Sequence, residues 1–402
     1  MSQAPAPSER PLFEFIALMA LMISLVALSI DAMLPALPEI GADLGVNDPN
    51  HNQLVISALF VGLATGQLFY GPISDSVGRK PGIYFGLALF IVGCLMCIFA
   101  GDLATMLVGR FLQGLGVAAP RTVAVALIRD QYEGRAMARI MSFIMAVFIL
   151  VPALAPAMGQ ALLLVAGWRM IFVCFALLAV IAVTWFALRQ PETLPPQRRR
   201  RLSLARIGLA VVETCTNRAA FGYIVAAGLI FGAFVGYLVS AQQIFQVQYG
   251  LGVLFPVAFA VLSLGIGCAS VVNARLVMRF GMRFLSGWAL VVLTVLSAGF
   301  FAYAAWAGGH PPLTALMLYG LVSFFCMGML FGNFNALAME PLGHIAGVGA
   351  AVIGCLTTFL SLTLGTAIGL AYDGTVLPLV GGFALLGLAA LAVMRWANGG
   401  GR

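Results

Sequence analysis

Asp31 reads as an acid embedded in an apolar run of this chain. A charge at mid-span costs about 2.5–3.5 kcal/mol on insertion scales, so an intramembrane carboxylate is a functional candidate by default. The stretch Leu34-Pro35-Ala36-Leu37-Pro38 breaks the helix soon afterwards and places Asp31 toward one end of its run. The bland alternative is a carboxylate near the surface, wetted and idle. Arg110 shifts that balance. It falls roughly 10 Å along a helix that starts near Leu103, at a depth similar to that of Asp31. An acid and an arginine buried at matched depth are expected to pair, directly or through water. Burial favours the neutral carboxyl and Arg110 the charged one, so a group poised this way could exchange protons near neutral pH. Arg121, deeper in the same run and directly after Pro120, either snorkels toward the surface or lines a cavity and favours anionic or neutral cargo.

Other chemistries find no support. His51, His310 and His344 fall in separate loops, so no metal cluster is expected, and no cofactor. There is no Ser-His-acid constellation and no G-x-x-x-x-G-K-[ST] loop, which argues against an enzyme and against an ATP-driven pump. The cysteines lie mostly inside apolar runs and suggest no disulfide framework, and Cys94-x-x-Cys97 reads as packing.

The elements that must position Asp31 and Arg110 are membrane helices. The chain has 402 residues, 62% hydrophobic and 9% charged, against about 25% charged in soluble domains. Twelve apolar runs, at roughly 12–36, 53–72, 82–100, 103–127, 138–162, 169–188, 219–243, 253–277, 284–304, 313–336, 345–370 and 375–395, can each span a bilayer. The net charge of +7 sits in short loops with no aromatic-interleaved basic face, which speaks for topology and against nucleic acid. With the N-terminus inside, the inner loops hold Arg79, Lys80, Arg129, Arg135, Arg139, Arg275, Arg279, Arg283 and the run Arg198 to Arg201, while the outer loops hold only Arg169. Both termini are therefore expected in the cytoplasm. The polar insert 189–218 divides the chain into six-span halves, 1–188 and 219–402. This gives an all-α membrane fold of two pseudo-symmetric six-helix bundles.

Several motifs carry a resemblance. Gly71-Pro72-Ile73-Ser74-Asp75-Ser76-Val77-Gly78-Arg79-Lys80 lies between two spans, and its form G-x-x-x-D-x-x-G-R-K resembles the loop between helices 2 and 3 of the major facilitator superfamily of secondary transporters. Arg110-Phe111-Leu112-Gln113-Gly114 resembles the helix-4 signature of drug exporters in that superfamily. Pro152-Ala153-Leu154-Ala155-Pro156, with Gly159, resembles its helix-5 antiporter signature, although Gln160 stands where a second glycine is usual. Together with Asp31-x-x-Leu34-Pro35-Ala36-Leu37-Pro38, and with Asn335-Ala336-Leu337-Ala338-Met339-Glu340-Pro341 and Ala346-Gly347 near the tenth and eleventh runs, the chain is similar to the bicyclomycin/chloramphenicol-type drug–proton antiporters. Met33 replaces an aromatic residue often found there.

The resemblance implies a proton-coupled exporter of small apolar drugs in a bacterial inner membrane, working as a monomer. Asp31 and Arg110 would carry coupling. Gly71, Asp75, Gly78 and Arg79 would form an inner gate, the acid docking against the start of helix 11. Arg110, Gln113 and Gly114 would form the helix-4 signature, and Pro152, Pro156 and Gly159 an antiporter kink. Asp31, Arg121, Tyr237, Gln242, Asn333 and Asn335 are candidates for the cavity wall, the last four being open to the alternative that they bond between helices. Two competing functions stay open: uptake or export of a small metabolite such as a sugar or organic anion, and a non-transporting sensor or scaffold.

Overall fold

Lipid offers no hydrogen bonds, so a spanning backbone must bond within itself, and this sequence does so with helices. The computed structural model describes residues 12–199 and 202–399. The tail to Arg10, the arginines Arg200 and Arg201, and Arg402 lie outside the described residues. Twelve helices are long and apolar enough to cross a membrane. They are α1 (Leu12–Asp31), α2 (Leu54–Val77), α3 (Arg79–Ile98), α4 (Leu103–Gln131), α5 (Gly134–Ala166), α6 (Arg169–Arg189), α7 (Arg218–Gln242), α8 (Phe255–Phe280), α9 (Met282–Trp306), α10 (Leu313–Met339), α11 (Ala346–Leu370) and α12 (Leu377–Asn398). No strand occurs among the described residues. The protein is a multi-pass integral membrane protein.

Two local features depart from the expected runs. The first helix stops at Asp31; a turn at Leu34–Ala36 and a short helix Leu37–Asp43 then continue the apolar path. Pro35 and Pro38 sit in the first turn of each piece, where a missing N–H costs nothing. The insert between the halves is also not plain coil. It carries a helix, Leu204–Thr216, that packs on α11, and its Glu213 meets His344 at 2.5 Å.

Small residues let the helices approach. A Cβ added to Gly114 of α4 would overlap the Leu59 carbonyl of α2, and one added to Gly116 would lie 2.5 Å from the Gly86 carbonyl of α3. α4 is thus wedged between α2 and α3 with backbones in contact, the close packing that associates helices in lipid. Across the halves, α2 packs on α11 and α5 on α8. α7 is the most enclosed span and α5 the least, so α7 faces the centre and much of α5 faces lipid.

These seams make a prediction. Gly114→Leu drives a side chain into backbone that cannot yield and is expected to destabilise by more than the usual 1–3 kcal/mol of an overpacked core. Gly101, where an added Cβ meets nothing within 4 Å, should accept alanine without effect. Thermal unfolding of the detergent-solubilised protein, with folded yield, checks both.

Candidate substrate and proton site

At the centre of the bundle lies a chamber of about 330 Å³. Its walls are mostly apolar and include the rings of Phe60 of α2, Phe148 of α5, Phe231 and Phe234 of α7, and Phe331 of α10. The rings also touch one another, Phe231 lying 5.4 Å from Phe331 and, between the halves, 6.5 Å from Phe60. A vestibule of about 380 Å³, lined in part by Asp75, Arg79, Arg129 and Gly347, opens from one end. Gln67, Arg121, Phe148 and Gly354 line both spaces, so they mark the passage between them.

Asp31 forms part of the chamber wall. It is only 4% exposed and, among the described residues, makes no hydrogen bond or ion pair. Its place follows from the chain break: α1 ends at this residue, and the proline-rich turn carries the backbone away. Across the same corner, α5 comes in at its closest. A Cβ on Gly159 would overlap the Ala32 carbonyl oxygen, so the α5 backbone lies against the peptide beside Asp31. α5 itself runs unbroken through Pro152 and Pro156, and Pro152 lines the chamber.

Arg110 is wholly buried, as its depth predicts, but the expected contact with Asp31 is not made. Its guanidinium donates to the Ser29 carbonyl at 2.8 Å, the Val55 carbonyl at 3.1 Å and Gln113 Oε1 at 2.5 Å, and it lies over the Phe172 ring. Ser29 is in the last turn of α1, where carbonyls lack helical partners and the helix end is partly negative. Arg110 therefore caps α1 and ties it to α2 and α4 just beside Asp31. Gln113 continues the chain with a bond to the Cys94 thiol, 3.1 Å away. Gly114, the third member of that signature, serves the α2 contact.

The other candidates divide. Arg121 and Asn335 line the chamber. Asn333 does not; it is locked in a reciprocal pair with Asn273, both bonds 3.0 Å. Gln242 is buried outside the lining, with an unpartnered amide nitrogen. Tyr237 lies behind the wall in an aromatic cluster with Phe234, Phe245, Phe259 and Phe324, its hydroxyl unpartnered and within Coulombic reach of Asp31.

The polar loop motif forms a knot at the vestibule. Arg79 donates to Asp75 at 2.5 Å, to Ser74 at 2.8 Å and to Asp130, at the end of α4, at 2.8 Å. Gly71 lies 3.8 Å, measured from its would-be Cβ, from Ala351 of α11. The carboxylate of Asp75, however, does not dock on the start of α11. It faces the vestibule from across Gly347, and that end of the molecule is open. The opposite end is closed between the halves: Asn50 donates to the carbonyls of Leu370 and Tyr372 and accepts from Gln243 at 2.6 Å, and Ser57 meets Thr366 at 2.7 Å.

Asp130, Glu192 and Asn50 were not singled out from the sequence. Asp130 is signalled by its place beside Arg129 at the level of the Gly71–Pro81 loop. Glu192 lies in the insert, and its two oxygens accept the backbone N–H groups of Arg79 and Lys80, each at 3.0 Å, capping the start of α3. Burial raises its affinity for a proton; the backbone donors of Leu194, Lys80, Arg79 and Thr193 outweigh this and hold the carboxyl below the usual glutamate range. Gly78, at φ +112°, makes the turn that brings these amides to Glu192.

The model of the Major Facilitator Superfamily matches residues 19–366. The chain belongs to that superfamily. As one of its members it is a transporter of small molecules and not an enzyme. It is 29% identical to the uncharacterized MFS-type transporter YdgK of Bacillus subtilis, covering 94% of this chain and 93% of that one. It is 27% identical to a bicyclomycin resistance protein homolog of Haemophilus influenzae, covering 92% and 93%, and 26% identical to the multidrug resistance protein MdtL of Salmonella heidelberg, covering 83% and 82%. Among solved structures, the human organic anion transporter MFSD10 superposes with a TM-score of 0.72 at 18% identity, covering 96% and 100%. The Escherichia coli xylose transporter XylE does so with a TM-score of 0.72 at 12% identity, covering 95% and 97%. The structural likenesses establish the major facilitator fold.

Two outcomes are expected in this transporter. Arg110→Lys keeps the charge but cannot reach three acceptors at once; it should cost about 1.5–3 kcal/mol of stability and reduce transport at least tenfold, measured by thermal unfolding and vesicle uptake. Glu192→Gln should cost about 0.5–2 kcal/mol, as a lost cap does. Because the folded state holds Glu192 below its ordinary value near 4.3, the wild-type contribution is present at neutral pH and fades as pH falls below that value. The stability gap between wild type and variant should therefore close in acid.

Proposed function

We propose that this transporter exports small, largely apolar drugs in exchange for protons by alternating access. Residues 1–188 and 219–402 rock about the chamber, joined by the insert 189–218. The observation that carries the reading is Asp31: a carboxyl with no partner among the described residues, 4% exposed, in the wall of a largely apolar chamber that communicates with a vestibule. Such a group binds either a proton or a polar group of the cargo, and the two compete. Resistance proteins among the relatives support drugs as the cargo.

The rest follows from charge placement. The cations cluster at the Asp75 end, so this end faces the cytoplasm of a bacterial inner membrane, with both termini inside. The open vestibule then makes the present conformation inward-facing. The knot of Asp75, Arg79 and Asp130 is the inner gate in its released form, and the Asn50 contacts are the closed outer gate. Cargo enters from the cytoplasm and displaces the Asp31 proton; the halves rock outward, and a proton returning to Asp31 favours release. One proton entering across about 100 mV and half a pH unit supplies roughly 3 kcal/mol, on the order of a hundredfold gradient. A monomer suffices.

Inverted vesicles carrying the transporter test this. Adding a phenicol or bicyclomycin should release protons from wild-type protein and none from Asp31→Asn, and expression in a host stripped of its own exporters should lower drug accumulation. Raised accumulation, or an Asp31→Asn variant that behaves as wild type, contradicts the reading.

A further inference from the structure

Arg121 is left over by everything above. Arg79 and Arg110 spend their guanidinium groups on neighbouring acids, carbonyls or amides. Arg121, among the described residues, makes no hydrogen bond or ion pair, yet it lies on the wall of the chamber and on that of the vestibule. A guanidinium carries five N–H donors and a permanent charge, and an apolar setting makes leaving them unanswered costly. Among the described residues the chamber wall holds one acid, Asp31, and one cation, Arg121, and neither has a hydrogen-bond or ion-pair partner there.

The two charges stand at different levels. Arg110 bonds the carbonyl of Ser29, two residues before Asp31, and so marks the level of that acid. Arg121 lies eleven residues further along α4, roughly 16 Å of helix rise. The same wall carries Phe60, Phe148, Phe231, Phe234 and Phe331 among aliphatic residues. A singly charged ligand answers one end and leaves the other facing apolar surface or a like charge.

We infer that the chamber is built for a dipolar aromatic ligand, with a cationic or hydrogen-bond-donating end at Asp31, an anionic or strongly accepting end at Arg121, and a flat apolar body against the phenylalanines. This rests on the proposed exchange reading only in taking the chamber as the cargo site. The arrangement also sets the sign of coupling. A cationic end stabilises the ionised Asp31 and so expels its proton, which is exchange. A purely anionic ligand at Arg121 instead favours the protonated Asp31, which would carry cargo and proton in the same direction. The dipolar form keeps the anion contact while preserving exchange.

The test uses one scaffold in three charge states: an aminomethyl-biphenyl-carboxylic acid with its charges at opposite ends, its methyl ester, which is a cation, and its N-acetyl derivative, which is an anion. Binding to the purified transporter is measured by scintillation proximity, and proton release in weakly buffered solution. The dipolar form should bind at least tenfold more tightly than either singly charged form and release protons. Arg121→Gln should weaken the dipolar and anionic forms about tenfold and leave the ester unchanged, while Arg121→Lys should restore part of the anion binding. Asp31→Asn should weaken the dipolar form and the ester instead. Equal affinities for the three forms, or an equal loss of all three in Arg121→Gln, overturn the inference, as does failure of the dipolar form to bind. Ester binding with proton release but no dipolar preference overturns it and leaves drug–proton exchange standing. Dipolar preference without proton release in any form does the reverse.

Discussion

A carboxyl group can be left without a partner inside a membrane protein only if the backbone around it cannot move to satisfy it. Arg110 supplies that constraint. Its guanidinium closes the frayed end of α1 through Ser29, reaches α2 through Val55 and is steadied by Gln113 on its own helix. From the other side, α5 lies against the Ala32 peptide at Gly159. Asp31 is held between a polar clamp and a steric one, and neither consumes its oxygens.

This clamp sets the division of labour in the first six helices. α4 is pressed between α2 and α3 by glycine seams, so the helix that carries Arg110 also serves as a rigid spine. The same spine ends in Asp130, which shares Arg79 with Asp75. Glu192 then ties the insert to the start of α3. The chamber, its vestibule and the loop knot are thus mechanically continuous along one helix, while the aromatic face is supplied largely by α7 and α10 across the divide. A charge event at Asp31 and a rearrangement at Asp75 have a stiff connection available, which the proposed rocking of the halves would use.

Much of this was legible in the sequence. Twelve spans follow from apolar run length alone, and the cost of a charge in lipid singled out Asp31 and Arg110. Their relation was not legible. Helix rise fixes depth but not direction, and a guanidinium at that depth chose the orphaned carbonyl of Ser29 over the carboxylate. For the same reason Asn333 and Gln242 were candidates for a wall they do not form: in a helix apolar all round, the pattern gives no face. Asn333 instead finds its complement in Asn273. The expected docking of Asp75 on α11 is not made, because its carboxylate is taken by Arg79 four residues along. Glu192 and Asp130 lie at helix margins, where composition reports only polarity and not which backbone amides or arginine they will meet.

The central claim is that the proton of Asp31 is exchanged for cargo. Infrared difference spectroscopy of the purified transporter reads this directly, through the carbonyl stretch of a protonated carboxyl. Adding drug near neutral pH should remove such a band from wild-type protein, and the Asp31→Asn variant should lack it. A band that persists on drug binding, or one that is lost equally in Asp31→Asn, would contradict the account.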